Sequence, residues 1–354
     1  MTKSLKTFAV LLALALLVPT GCAMGDDEIP DTPLVAGAVS AGADRSAAIG
    51  RDGSLWVWGR GSGAAPVRIG AEREWAFVSI GADSHVALAL DGSLWRWAWG
   101  GAGIGYSLTR MGSHDWRHVS AGGQSIVGIS LDGSLRELPG DARIGPDYNW
   151  AILSVGGVDQ GGHVAGIRLD GTLWAWGRNM EGQLGDGSTT RRDTPTLVQP
   201  GATWRMVCAG WYHTMGIMSD GTLWAWGSNA SGEFGDGTAT SRQVPTPLQP
   251  GETWVSVSAG HRHTAAIRAD GSLWTWGLNR RGQLGDGTTI NRHTPFRIGG
   301  GTGWVSVAAG FDYTVAARSD GSIWAWGDNR DGRLGDGTTI DRLSPVMIVA
   351  GLVE

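Results

Sequence analysis

The chain has 354 residues and a formal charge of −5, with only 17% charged residues but 59 glycines and 20 tryptophans. A mildly acidic surface offers no general attraction for phosphate backbones, which argues against nucleic acid as a partner. Glycine-rich turns between short aromatic segments point to an all-β fold and away from disorder.

The N-terminus reads as an export signal: Lys3 and Lys6 precede an apolar run over residues 8–18 that is too short to span a bilayer. The run ends at Pro19-Thr20-Gly21-Cys22, which resembles the lipobox of bacterial lipoproteins, with Pro19 where that family usually has Leu. The resemblance implies that Cys22 becomes the lipidated N-terminus, placing an exported, membrane-anchored protein in a bacterial cell envelope. Ordinary cleavage at the small-x-small sequence Gly21-Cys22-Ala23 is the competing reading and gives a secreted protein. Residues 1–22 are thus the leader, and 23–33, with Asp26, Asp27, Glu28 and two prolines, form a tether. Residues 34–354 are the body, in which Cys208 is the one cysteine and no internal disulfide can form.

The body is a repeat. Asp-Gly recurs at Asp52, Asp91, Asp132, Asp170, Asp220, Asp270 and Asp320, each time followed by Ser or Thr and an apolar residue. Asp-Gly between alternating segments marks a tight hairpin whose turn needs a positive φ. A small residue plus Gly lies ten positions earlier in six copies, ending at Gly42, Gly81, Gly122, Gly210, Gly260 and Gly310; the fourth copy carries three extra residues. A Trp stands six residues before that pair in every copy but the first, which has Ala36.

In the sixth copy the predicted strands are 254–259, 263–268, 272–276 and 294–298. Seven copies of four short antiparallel strands describe a seven-bladed β-propeller. Trp274 and Trp276, two apart, share one strand face and are expected to pack on the next blade; the pair recurs in five other copies. The third copy has Leu135 and Leu138 there, followed by Pro139, and is expected to be the weakest blade.

Residues 259–289, AGHRHTAAIRADGSLWTWGLNRRGQLGDGTT, resemble the repeat of the regulator of chromosome condensation (RCC1-like) propellers. The resemblance covers about residues 36–350, close in copies four to seven and looser in copies one to three, which lack the GQLGDG loop. Residues 344–350, SPVMIVA, match the fourth strand that follows Trp276, with 32–35 a shortened counterpart at the other end; the resemblance implies that the chain ends meet in one blade, with residues 346–349 pairing beside the first copy.

The loop at 279–289 recurs three times, and its Asn and Asp residues suggest a calcium loop, yet its carboxylates are single and no bidentate Glu follows. Asp side chains accepting backbone N–H bonds explain it better. His163, His213 and His263 share one register seven before Asp-Gly, one per blade, which suits a structural hydrogen bond and not convergence on zinc. Cys208 aligns with Ser258 and Ala308 and reads as a small buried residue. No catalytic constellation breaks the repeat, and neither an enzyme nor a cofactor is expected.

The positions after the small-Gly pair differ between copies. Copies five to seven carry Trp211-Tyr212, His261-Arg262 and Phe311-Asp312, against Ala43-Asp44, Ala82-Asp83 and Gly123-Gln124 in copies one to three. Aromatic rings and Arg on an exposed rim are the composition of binding hot spots, and rings capping the neighbouring blade are the alternative. The expected function is a monomeric, tethered interaction module that binds a protein partner through one rim. An inhibitor similar to secreted RCC1-like propellers that block β-lactamase is a second reading. Nucleotide exchange on a small GTPase, as in the namesake family member, is a third, opposed by the leader and the acidic charge.

Overall fold

A computed structural model describes residues 38–99, 105–147, 149–157 and 162–349, so the leader, Cys22, the tether, residues 32–35 and the extra residues of the fourth copy at 158–161 lie outside the described residues. Seven four-stranded antiparallel sheets follow one another along the chain. They are β1–β4 (38–69), β5–β8 (75–111), β9–β12 (116–143), β13–β16 (150–198), β17–β20 (204–248), β21–β24 (254–297) and β25–β28 (304–349), here blades 1 to 7. In every sheet the strands pair in chain order with no crossover.

The sixth blade shows why the sequence folds this way. Strand β22 (His263–Arg268) turns into β23 (Leu273–Gly277) through Gly271, whose φ is +77°. Asp270 contributes its side chain, accepting the Ser272 backbone N–H at 2.9 Å and its hydroxyl at 2.5 Å. The Ser272 Oγ in turn accepts the Trp274 indole N–H at 2.8 Å. The Asp-Gly-Ser/Thr-x-Trp pattern is therefore one local hydrogen-bonded unit, repeated in other blades.

Seven hydrophobic clusters fill the seven joints between neighbouring blades. Trp276 sits with Trp254 in the cluster that contains Met206, Met215, Ile217 and Phe234 of blade 5, and Trp274 lies against its edge. The paired tryptophans thus face the preceding blade and not the following one, because the face of β23 that carries them is turned back toward blade 5. Burial of one such indole contributes on the order of 2–3 kcal/mol.

The innermost strands are knitted around the axis by small polar side chains. Ser40, Ser79, Ser120, Ser154 and Ser258 each accept a backbone N–H of the next blade's first strand at 2.9–3.0 Å. Cys208 takes this place between blades 5 and 6, its sulfur accepting the Ala259 N–H at 3.3 Å. The glycines that end these strands form a second ring: a Cβ on Gly260 would stand 2.6 Å from Gly310 O, and one on Gly310 2.8 Å from Gly42 O. Only glycine lets the turns approach this closely.

Closure differs from the expectation drawn from the resemblance. Strand β28 (Arg342–Val349) pairs with β27 (Ile323–Gly327) and completes blade 7, so residues 346–349 do not pair beside blade 1. The ring closes by packing, with Val39, Ala48 and Trp58 of blade 1 against Tyr313, Val315 and Leu334 of blade 7. Ile348 adds its side chain to that cluster. Blade 3 is the least complete sheet: β12 (Ala142–Arg143) has two residues, because Pro139 follows β11 (Leu135–Leu138) and ends the pairing.

Candidate functional site

The GQLGDG loops are joints. In the sixth blade, Asn279 accepts the Leu284 N–H at 3.0 Å and donates to Asp286 Oδ1 at 2.9 Å and to the carbonyls of Thr288 and Ile290 at 3.1 Å. Asp286 also accepts the Thr288 N–H and the Arg292 guanidinium. Burial raises the Asp286 pKa, but bonds from Thr288, Arg292 and Asn279 outweigh it and hold the carboxyl below its usual range. These carboxylate oxygens already serve as turn acceptors.

Each loop then reaches across to the following blade. The Glu233 carbonyl of blade 5 accepts the Thr264 hydroxyl at 2.8 Å and the Trp276 indole N–H at 2.7 Å, and Gly237 N–H donates to His293 O at 2.7 Å. Gln283 makes the same bonds to Thr314 and Trp326, and Arg333 to Ser46 and Trp58 across the closure. Gln183 O takes the Thr214 hydroxyl at 2.7 Å. The joints after blades 4, 5, 6 and 7 are therefore latched, in chain order, by the loop of one blade on the next.

The histidine register belongs to these latches. His163, His213 and His263 direct Nε2 at Thr214, Thr264 and Thr314 at 2.8, 3.2 and 3.0 Å. Each threonine hydroxyl proton is already given to a loop carbonyl, so the ring nitrogen is the donor and the Nε2–H tautomer follows. Burial pushes their pKa values down to about 3, 3 and 4, which keeps them neutral. Tyr313 occupies the same register at the closure and donates to Arg45 O at 2.5 Å, its pKa raised by burial.

The variable positions on the rim converge. Trp211, His261 and Phe311 come from three successive blades, immediately beyond the glycine ring, where their N–H groups donate to Gly260 O, Gly310 O and Gly42 O. The His261 and Phe311 rings stack at 4.1 Å with 8° between planes, and Trp211 lies 4.7 Å from His261 and 4.5 Å from Phe311. Rings from blades 5 and 7 touch only because the side chains lean together at the axis. All three are half-buried, as are Tyr212 and Arg262.

Asp312 stands apart from the other rim residues. It is buried, at 6% exposure, and its Oδ1 accepts the Gln283 side-chain amide at 2.9 Å, with His261 Nδ1 3.8 Å away. Arg262 and Arg178 each lie 5.3 Å from the centre of the Tyr212 ring. Arg178 is a rim residue that the repeat pattern does not single out; its equivalents are Ser228, Leu278 and Asp328, a position whose variation is the available signal.

A family model described as the RCC1-like domain matches residues 146–353, more than half of the chain. Over 33 residues, 9% of this chain, it is 52% identical to Protein RCC2 homolog of Danio rerio and to Protein RCC2 of Homo sapiens. That stretch spans only 7% and 6% of the length of those relatives. Among solved structures, yeast RCC1 (Prp20) matches with a TM-score of 0.57 at 19% identity, covering 88% of this chain and 74% of that one. The ectodomain of the Arabidopsis thaliana receptor kinase ACR4 gives 0.57 at 18%, over 82% and 94%, and human WBSCR16 gives 0.55 at 16%, over 88% and 81%. At these identities the likeness is one of fold. Together with the latch loops of blades 4 to 7, the match over residues 146–353 places this chain in the RCC1-like domain family.

Proposed function

We propose that this protein is a non-catalytic interaction module, a monomeric propeller held in a bacterial envelope by lipid on Cys22, that binds a protein partner through the Trp211–His261–Phe311 rim. The single observation that carries the reading is the cluster itself: three half-buried rings gathered at one end of the axis, where blades 1 to 3 carry Ala43, Ala82 and Gly123 instead. A repeat that needed only to close its ring would keep the small residue in every blade. Solvent-facing aromatic area of this kind is what partner surfaces bury. The fold is compatible with the role, since one neighbour, yeast Prp20, is solved bound to Kap60.

A photoreactive phenylalanine analogue at position 311 of the full chain, irradiated in cells, tests this directly. A discrete heavier adduct that is absent when the probe sits at Ile290, an exposed loop position, is expected. Absence of any adduct from the rim, or the same adducts from Ile290, refutes the reading.

A further inference from the structure

Across each latched joint, the loop residue whose carbonyl makes the latch lies opposite a rim residue of the next blade. Gln283 faces Asp312, and its Nε2 donates to the Asp312 carboxylate at 2.9 Å. Glu233 and Arg262 hold the corresponding positions one joint earlier, where burial raises the Glu233 pKa and the charge of Arg262 partly opposes that rise. At the joint between blades 4 and 5 the equivalent residues are Gln183 and Tyr212: around Gly227, Gln183 Cα lies beside Tyr212 O and His213 Cα.

Here buried donors are left without a partner among the described residues. Gln183 is fully buried, at 0% exposure, and its Nε2 has no hydrogen-bond partner among the described residues. Arg178 Nε, on the same loop, is also buried and unpartnered. Arg178 and Arg262 each lie 5.3 Å from the centre of the Tyr212 ring, and no ion pair of either is found among the described residues. Buried donors of this kind ordinarily find a partner. Two repeats further on, the protein supplies that partner itself, as the carboxylate of Asp312.

We infer that Arg178 and Arg262, both beside Tyr212, receive a carboxylate side chain, Asp or Glu, of a protein partner whose apolar surface lies on Trp211, His261 and Phe311. The inference rests on the interaction role proposed above and names the chemistry of that partner. The planar guanidinium groups suit a carboxylate, and the half-buried setting strengthens the bond relative to open water.

The test uses the full chain in detergent and two fluorescently labelled probes, acetyl-Phe-Glu-Glu-Phe-amide and its Gln-Gln counterpart, titrated by anisotropy at low salt. The acidic probe is expected to bind about tenfold more tightly, the scale of one charge-assisted hydrogen bond. The Arg178→Ala/Arg262→Ala variant should bind both probes equally, at the affinity of the Gln probe. Tyr212→Asp should also abolish the preference and raise Tm, because it supplies the acceptor that Asp312 provides to Gln283. Equal binding of the two probes, binding of neither, or a preference that survives in the double Arg variant overturns the inference. A Phe311 crosslink that persists in the double Arg variant would leave the interaction role standing while removing this site.

Discussion

Lowering the pH from 7.5 to 5 should destabilise the propeller through the buried histidines at its joints. His163, His213 and His263 have folded pKa values of about 3, 3 and 4, depressed by burial, whereas an unfolded histidine titrates near 6.5. The sign follows: above about pH 6.5 neither state binds the proton and the contribution is complete, while below it the unfolded chain takes up protons that the fold refuses. Stability is therefore lost as pH falls from 6.5 toward the folded values, at about 1.4 kcal/mol per pH unit per ring, or about 2 kcal/mol per ring by pH 5. His85 and His118, lowered to about 3 and 4, add to the slope. The Asp-Gly carboxylates do not blur this window, since their folded pKa values are lowered and their contribution is lost only below the ordinary carboxylate range. Urea unfolding followed by tryptophan fluorescence at several pH values measures the effect. The His213→Gln variant, which keeps an N–H donor for Thr264, should lose close to one proton from the pH dependence. Stability that is flat between pH 7.5 and 5, or a variant with the wild-type slope, refutes the assignment of these rings as neutral latch donors.

Other outcomes can be checked independently. Gly260→Ala should cost about 2–3 kcal/mol, or prevent folding, because its Cβ would stand 2.6 Å from a backbone carbonyl that cannot yield, and thermal melting reads this directly. Thr264→Val removes the acceptor of His213 Nε2 and a donor to Glu233 O, and should cost about 1–3 kcal/mol in chemical denaturation. Hydrogen exchange should open blades 1 to 3 before blades 5 to 7, because the strand connection at residues 60–62 of blade 1 and that at 139–141 of blade 3 are too short to form a latch. Intact-mass measurement of the mature N-terminus should show a lipidated Cys22, and Cys22→Ala should release the protein from the membrane fraction.

Much of the fold was legible because its determinants are local. Asp270, Gly271 and Ser272 make their turn within three residues, so one copy suffices to read a hairpin, and the Trp254 and small-Gly spacings repeat what one blade needs. The loop aspartates were likewise readable as turn acceptors, since Asp286 takes the Thr288 N–H within its own loop, whereas the part of Asn279, which accepts the Leu284 N–H and donates to Asp286, was not. What the sequence hid are relations between copies. The bond from Thr264 to Glu233 spans 31 residues and that from Trp276 spans 43, so a loop that looks self-contained in one repeat is a fastening on the next. Trp211 and Phe311 meet only because two non-adjacent blades lean to one axis. Asp312 looked like a rim contact because register places it beside Phe311, but Gln283 draws its carboxylate inward. Closure was misplaced because the family's habit of meeting its ends in one blade was carried over, whereas residues 344–350 match the fourth strand of their own repeat and β28 pairs with β27.

That every sheet is one uninterrupted segment of the polypeptide, with blade 7 completed by its own last strand, means the covalent order of the blades is interchangeable with a rotation of the disc. A circular permutant cut between blades 5 and 6, with the natural ends joined by a linker, would break no ladder of strand hydrogen bonds. By the same reasoning such a ring can gain or lose a member by duplication or deletion of a single segment, and the directional fastenings on only part of its circumference would decide where an insertion is tolerated.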